Sequence, residues 1–85
     1  MSQLRRILKL HPQDNIAVAL ADIAVGEIDN VSGLKAQHAI KQGHKIAVEP
    51  IKLGQNVIRY GQTIGQATAD IAAGEHVHVQ NLGMG

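Results

Sequence analysis

The chain has 85 residues, with eight Lys and Arg against seven Asp and Glu and a formal net charge of +1. It has no cysteine, tryptophan or phenylalanine, and one tyrosine, Tyr60. This composition excludes disulfide staples, thiol nucleophiles and cysteine-held metal centres, leaves no base-stacking aromatics for nucleic acid, and contains no apolar run long enough for a membrane span.

At this length residues 1–85 form one small domain. Its core must be built from Ile, Val, Leu and Ala, and such a core is thin. Part of the apolar surface is therefore expected to be finished by a partner. The N-terminus lacks the apolar stretch of a secretory signal, so a cytoplasmic protein is the default.

Residues 3–10 read as a first strand, with a short helix as the alternative. Arg5, Arg6 and Lys9 make a modest basic start that no long basic run follows. The stretch His11-Pro12-Gln13-Asp14-Asn15 breaks the pattern, since Pro, Asp and Asn favour turns. Residues 16–21 are apolar throughout. Ile16, Val18 and Leu20 fall on one face of a predicted strand and the alanines on the other.

A short pattern then recurs. Ala21-Asp22-Ile23-Ala24-Val25-Gly26-Glu27 resembles Ala69-Asp70-Ile71-Ala72-Ala73-Gly74-Glu75, and Glu49-Pro50-Ile51-Lys52-Leu53-Gly54-Gln55 is a weaker copy. Each predicts a short helical corner closed by a glycine in the left-handed conformation. The isoleucine plugs the core, and the spacing is too irregular for a solenoid. Residues 27–33 form a loop. Residues 34–41 alternate as a half-buried strand, with Leu34, Ala36, His38 and Ile40 on one face, so His38 reads as a structural histidine.

Gly43 then lifts His44 and Lys45 off the start of an apolar strand over 46–51. The bland reading is an ordinary polar turn. Residues 56–60 are another strand, ended by Gly61. Gly65, inside the extended stretch 63–68, signals a bulge or a close backbone approach. The last strand, 76–81, puts His76, His78 and Gln80 on one face.

Two imidazoles at that spacing can share a metal. A mononuclear site needs at least one more ligand, from His44 or from another chain; the alternative is a pair of solvated histidines. His11, Asp14 and Asn15 form a polar cluster, unless Asp14 or Asn15 caps the local turn in which they stand. Arg59 can hold a carboxylate bidentately or be a plain surface arginine. No nucleophile elbow, phosphate-binding loop or zinc-protease helix is present, and no active site is complete.

Four motifs occur together and in order: His11-x-x-Asp14-Asn15-Ile16-Ala17, Gly43-His44-Lys45-Ile46-Ala47, Arg59-Tyr60-Gly61-x-x-Ile64-Gly65, and Ala69-Asp70-Ile71-x-x-Gly74-Glu75-His76-Val77-His78. In this combination the chain resembles the N-terminal SAF domain of altronate and galactarate dehydratases. It is similar also to the small subunit of sulfolactate sulfo-lyase. The resemblance implies a mostly β, compact β-clip fold with short helical corners. It implies a separate small subunit, or a domain of a longer protein, completed by a large catalytic dehydratase domain or subunit. Homo-oligomerisation stays open.

The implied substrate is a sugar acid or a sulfonated hydroxy acid, and the implied cofactor is divalent iron or manganese in the complete enzyme. By the same resemblance His44 and Lys45 are the first choice for catalytic groups. His11, Asp14, Asn15 and Arg59 are substrate contacts, and His76 and His78 are metal or substrate contacts. A binding or assembly module without chemistry of its own is the competing reading.

Overall fold

The computed structural model describes residues 5–83. Seven short strands follow in order: β1 (Ile7–Leu8), β2 (Ile16–Ala19), β3 (Lys45–Ala47), β4 (Asn56–Arg59), β5 (Gln62–Ala67), β6 (His76–Val77) and β7 (Leu82–Gly83). They pair antiparallel into two sheets, ordered β1-β2-β3-β6 and β4-β5-β7. The mostly β architecture expected from the sequence is present. The first predicted strand shortens to Ile7–Leu8, and its first residues, Gln3 and Leu4, lie outside the described residues.

The two sheets repeat one plan. In the first, Ile7 and Leu8 face Ala19 and Val18, while Ala17 and Val18 face Ile46 and Lys45. In the second, Leu82 and Gly83 face Ala67 and Gln66, while Gly65 and Gln66 face Val57 and Asn56. The corners match as well. Ile23 bridges Ile40 in one half, and Ile71 bridges Ile51 in the other. Asp22 accepts the Gln42 N–H at 2.9 Å, and Asp70 accepts the Leu53 N–H at 2.8 Å. Two aliphatic clusters result, one around Ile23, Ile40 and Ile46, the other around Ile51, Val57 and Ile71, which Ile16, Ala47 and Val77 of the first sheet complete. Burying side chains of this size removes about 1.5–3 kcal/mol of exposure cost each. β6 alone has no counterpart in the other half.

The corners are tight turns and not helical. The Glu27, Gln55 and Glu75 N–H groups each reach the carbonyl three residues back, at 3.1, 2.9 and 3.1 Å. No further helical bonds follow, because the glycine at the third turn position has positive φ and redirects the chain. The same three side chains then accept the N–H of Ala24, Lys52 and Ala72.

Residues 34–41 do not form the expected strand. Lys35 and Ile40 make isolated bridges to different partners. The alternation predicted for this stretch holds for Ala36 and Ile40, which are buried, but His38 is exposed and so is no core histidine. Gly65 does sit at a close approach: an added Cβ would collide with the Gly83 carbonyl oxygen. The pairing register shifts between the neighbouring residues Val57 and Ile58.

Candidate metal centre

β3 and β6 run antiparallel, with Lys45 opposite Val77 and Ile46 opposite His76. Side chains alternate along each strand, so His76 shares the Ile46 face. His44, one residue before Lys45, falls on that face too, and so does His78, one residue past Val77. The three imidazoles converge there. Ring centroids are 5.1 Å apart for His44–His76, 5.1 Å for His44–His78 and 5.6 Å for His76–His78. Nδ1 of His44 lies 2.9 Å from Nε2 of His76. One nitrogen from each of the three rings lies within 4.8 Å of the others. His44 and His76 are half-buried and His78 is exposed, so the cluster opens to solvent on one side.

Two features of the chain place this cluster. Lys41-Gln42-Gly43-His44 is a fourth corner of the same kind, with the His44 N–H reaching the Lys41 carbonyl at 2.9 Å and Gly43 at φ 84. The sequence signal was available: Ile40-x-x-Gly43 repeats the spacing of the other corners. In those corners the residue after glycine is Glu or Gln, and it folds back on its own turn. Here it is His44, and its ring turns to His76 instead. The other two imidazoles come from β6 and the residue after it, on the strand that the second half lacks. The site thus sits where the duplicated plan is broken.

The remaining candidates lie elsewhere. Lys45 is on the other face of β3, with Val77 and Ala47. Burial and the nearby Arg59 charge hold its ammonium below the usual lysine range. Asp14 is 1% exposed. Its carboxylate accepts the Tyr60 N–H at 3.0 Å and the Gly61 N–H at 2.8 Å. The Asn15 amide donates to the Asn56 carbonyl and accepts the Ile58 N–H, both at 2.8 Å. Asp14 thus closes the remote β4–β5 turn and not the local 11–15 turn of the alternative reading, while Asn15 pairs with strand β4. The His11 ring covers Gly61, 3.0 Å from where a Cβ would sit, and its Nδ1 accepts the Gln13 N–H. These residues gather beyond the Asn15 end of β2, which pairs with the end of β3 away from His44.

Burial, then the neighbouring His44 and His78, holds His76 below the ordinary imidazole value. Its neutral form is therefore favoured in the fold. Above about pH 6.5 both folded and unfolded His76 are neutral. As pH falls from there, the unfolded chain takes up the proton first, so stability should be lost until the lower folded value is passed. Urea midpoints at pH 7.5 and 5.5 check this: replacing His76→Gln should flatten the decline, and an unchanged decline would remove His76 as its source.

Among the described residues no helix is long and apolar enough to cross a membrane. The family model for the altronate/galactarate dehydratase SAF domain matches residues 5–85. The altronate dehydratase of Bacillus subtilis is 42% identical over 80 residues, covering 92% of this chain and 16% of that protein. The altronate dehydratase of Escherichia coli is 49% identical over 77 residues, covering 87% of this chain and 15% of that protein. The (2R)-sulfolactate sulfo-lyase subunit alpha of Paracoccus pantotrophus is 42% identical over 48 residues, 56% of this chain and 72% of the subunit. The chain thus corresponds to a small part of the dehydratases it matches, which carry a much larger remainder. With the two-sheet fold and the four motifs in place, the chain belongs to the SAF-domain family of altronate and galactarate dehydratases.

Proposed function

We propose that this chain is the small component of a hydro-lyase acting on a sugar acid of the altronate or galactarate type. In this reading His44, His76 and His78 supply a divalent-metal platform to an active site that a larger polypeptide completes. The observation that carries it is the convergence of three imidazoles, one from the turn before β3 and two from β6 and the residue after it, beside the one strand without a counterpart in the other sheet.

The donor set fits the ion. Imidazole nitrogens within 4.8 Å of one another approach the spacing that bonds of about 2.0–2.1 Å to one centre require. Three neutral nitrogens favour iron over manganese, which prefers oxygen ligands and binds more weakly. When bound, such an ion supplies Lewis-acid stabilisation of an enediolate and of a departing hydroxide. The lowered basicity of His76 keeps its lone pair available near neutral pH.

Dehydration removes a proton α to a carboxylate and expels a β-hydroxyl. The proton needs a base, and imidazoles committed to an ion cannot serve. Lys45 faces away from them. The base therefore belongs to the larger polypeptide, and His44 acts as a ligand. A cytoplasmic setting is part of this reading.

The test is turnover by the chain combined with its larger partner, with altronate, galactarate and (2R)-sulfolactate assayed side by side. A variant lacking His44, His76 and His78 should assemble but lose turnover by several orders of magnitude. Full turnover in that variant would leave the chain an assembly module without a part in the chemistry. Sulfite release in place of dehydration would move it to the sulfo-lyase branch.

A further inference from the structure

The strand expected over 76–81 ends at Val77, so His78 stands outside the β3–β6 ladder. Continuing the pairing register would set His44 opposite it. The His44 backbone is committed elsewhere: its N–H reaches the Lys41 carbonyl, and its carbonyl accepts the Ala19 N–H at 2.9 Å. The ladder therefore gives His78 no cross-strand partner. A ring that completes a three-nitrogen cluster needs a backbone held by something else.

Asn81 holds it. This residue is buried, at 7% exposure. Its Oδ1 accepts the His78 N–H at 3.0 Å, and its Nδ2 donates to the His76 carbonyl at 2.8 Å. The N–H groups of Asn81 and Leu82 close the turn onto the His78 carbonyl, at 3.0 and 2.8 Å. The Asn81 carbonyl in turn accepts the Thr68 N–H at 2.9 Å, and Leu82 pairs with Ala67 of β5. The backbone of Asn81 is thus tied to the second sheet, while its side chain grips the edge of the first.

The fold uses this grip twice. The Asn15 carboxamide takes the Asn56 carbonyl and the Ile58 N–H, on either side of Val57. The Asn81 carboxamide takes the His76 carbonyl and the His78 N–H, on either side of Val77. Both valines are 0% exposed. A carboxamide carries one donor and one acceptor group, so it can stand in for the missing strand. At Val57 the grip leads into the hairpin where Arg59 packs over the Tyr60 ring at 5.5 Å. At Val77 the two gripped residues are histidines of the cluster.

We propose that Asn81 is a positioning residue of the three-imidazole site, fixing the backbone from which the His78 ring reaches His44 and His76. Its purpose rests on the metal-platform reading; the placement of the rings does not. His78 depends on it most. His76 is paired with Ile46, and its carbonyl has a second donor in the Gln80 amide at 3.1 Å. The His78 N–H has no other acceptor among the described residues.

Through-space proton contacts between the rings, read by NMR in the metal-free, isotope-labelled chain, test this. The parent should show contacts among all three rings, whose centroids stand 5.1, 5.1 and 5.6 Å apart. Asn81→Ala should lose those of His78 and keep those between His44 and His76. Asn15→Ala is the matched control: it removes the same grip at Val57, and should lower the melting temperature with every ring contact intact. In a titration with Co(II), Asn81→Ala should bind about tenfold or more weakly. The visible spectrum of its Co(II) complex should move toward that of His78→Ala, and Asn15→Ala should change neither. Asn81→Ser can serve the His78 N–H or the His76 carbonyl but not both; it should fall between, and it carries the test if Asn81→Ala does not fold. Undiminished His78 contacts in a folded Asn81 variant would overturn the proposal, as would an equal loss of them in Asn15→Ala. A parent chain that binds no Co(II), with the contacts still lost in Asn81→Ala, would remove the platform reading and keep the positioning role.

Discussion

Asp14→Ala is expected to cost the fold about 3–5 kcal/mol and to lower its melting temperature by about 15 °C or more. Two charge-assisted hydrogen bonds are lost, each worth about 1.5–3 kcal/mol, and two N–H groups of the β4–β5 turn lose their acceptor. That turn is strained. Tyr60 and Gly61 both have positive φ, 57 and 71, the combination of a two-residue hairpin whose twist matches its strands. For a tyrosine the left-handed conformation costs about 1–2 kcal/mol, and the Asp14 carboxylate holds it there. Asn15 adds the second half of the clasp, pairing with the Asn56 carbonyl and the Ile58 N–H as a strand residue would. Together the two side chains tie β2 of one sheet to the hairpin of the other. An 85-residue chain has a total stability of only about 4–13 kcal/mol, so such a loss leaves it marginal. Asp14→Asn keeps one acceptor and should cost less. Thermal melts of both variants decide the matter: a melting temperature for Asp14→Ala within a few degrees of the parent would show that the clasp is not what holds the halves together.

The clasp also shows what the sequence conceals. His11, Asp14, Asn15 and Arg59 stand in motifs of polar residues next to turns, the composition of a site. Nothing local distinguishes a carboxylate that meets a substrate from one that meets two N–H groups 46 and 47 residues away. Period-two alternation, by contrast, was sufficient to place His76 and His78 on one face, and the glycine spacing located the corners. The fourth corner is disguised in the sequence because it carries histidine where the others carry Glu or Gln, and it is that exchange that brings His44 to the site. Lys45 illustrates the limit of adjacency: neighbours in a strand point apart, so the residue next to His44 serves the opposite face. The strand read over 34–41 failed for another reason. Ala36 and Ile40 bury where they bond to the Ile23–Glu27 corner, Gln37 between them turns instead to the Gly74 carbonyl of the other half's corner, and no continuous ladder forms.

Replacing His44→Ala should lower the affinity of the chain for a divalent ion by about 100-fold or more, since even residues that merely support a ligand are worth about 10- to 100-fold. His76 and His78 alone offer two nitrogens on one edge, and the third comes only from the corner across from them. Anaerobic calorimetric titration with Fe(II), repeated with Zn(II), measures the loss. His38→Ala is the control, because that ring is exposed and outside the cluster. Unchanged affinity in His44→Ala would show that the convergence of the rings has nothing to do with a metal. His44→Gln separates the site from the scaffold. Gln55 stands at the same position of its own corner and accepts the Lys52 N–H at 2.9 Å. A glutamine at 44 can make the equivalent bond to Lys41, worth about 0.5–1.5 kcal/mol. That variant should therefore bind metal as poorly as His44→Ala while melting at or above the parent temperature, the pattern of a position where stability has been given up for function.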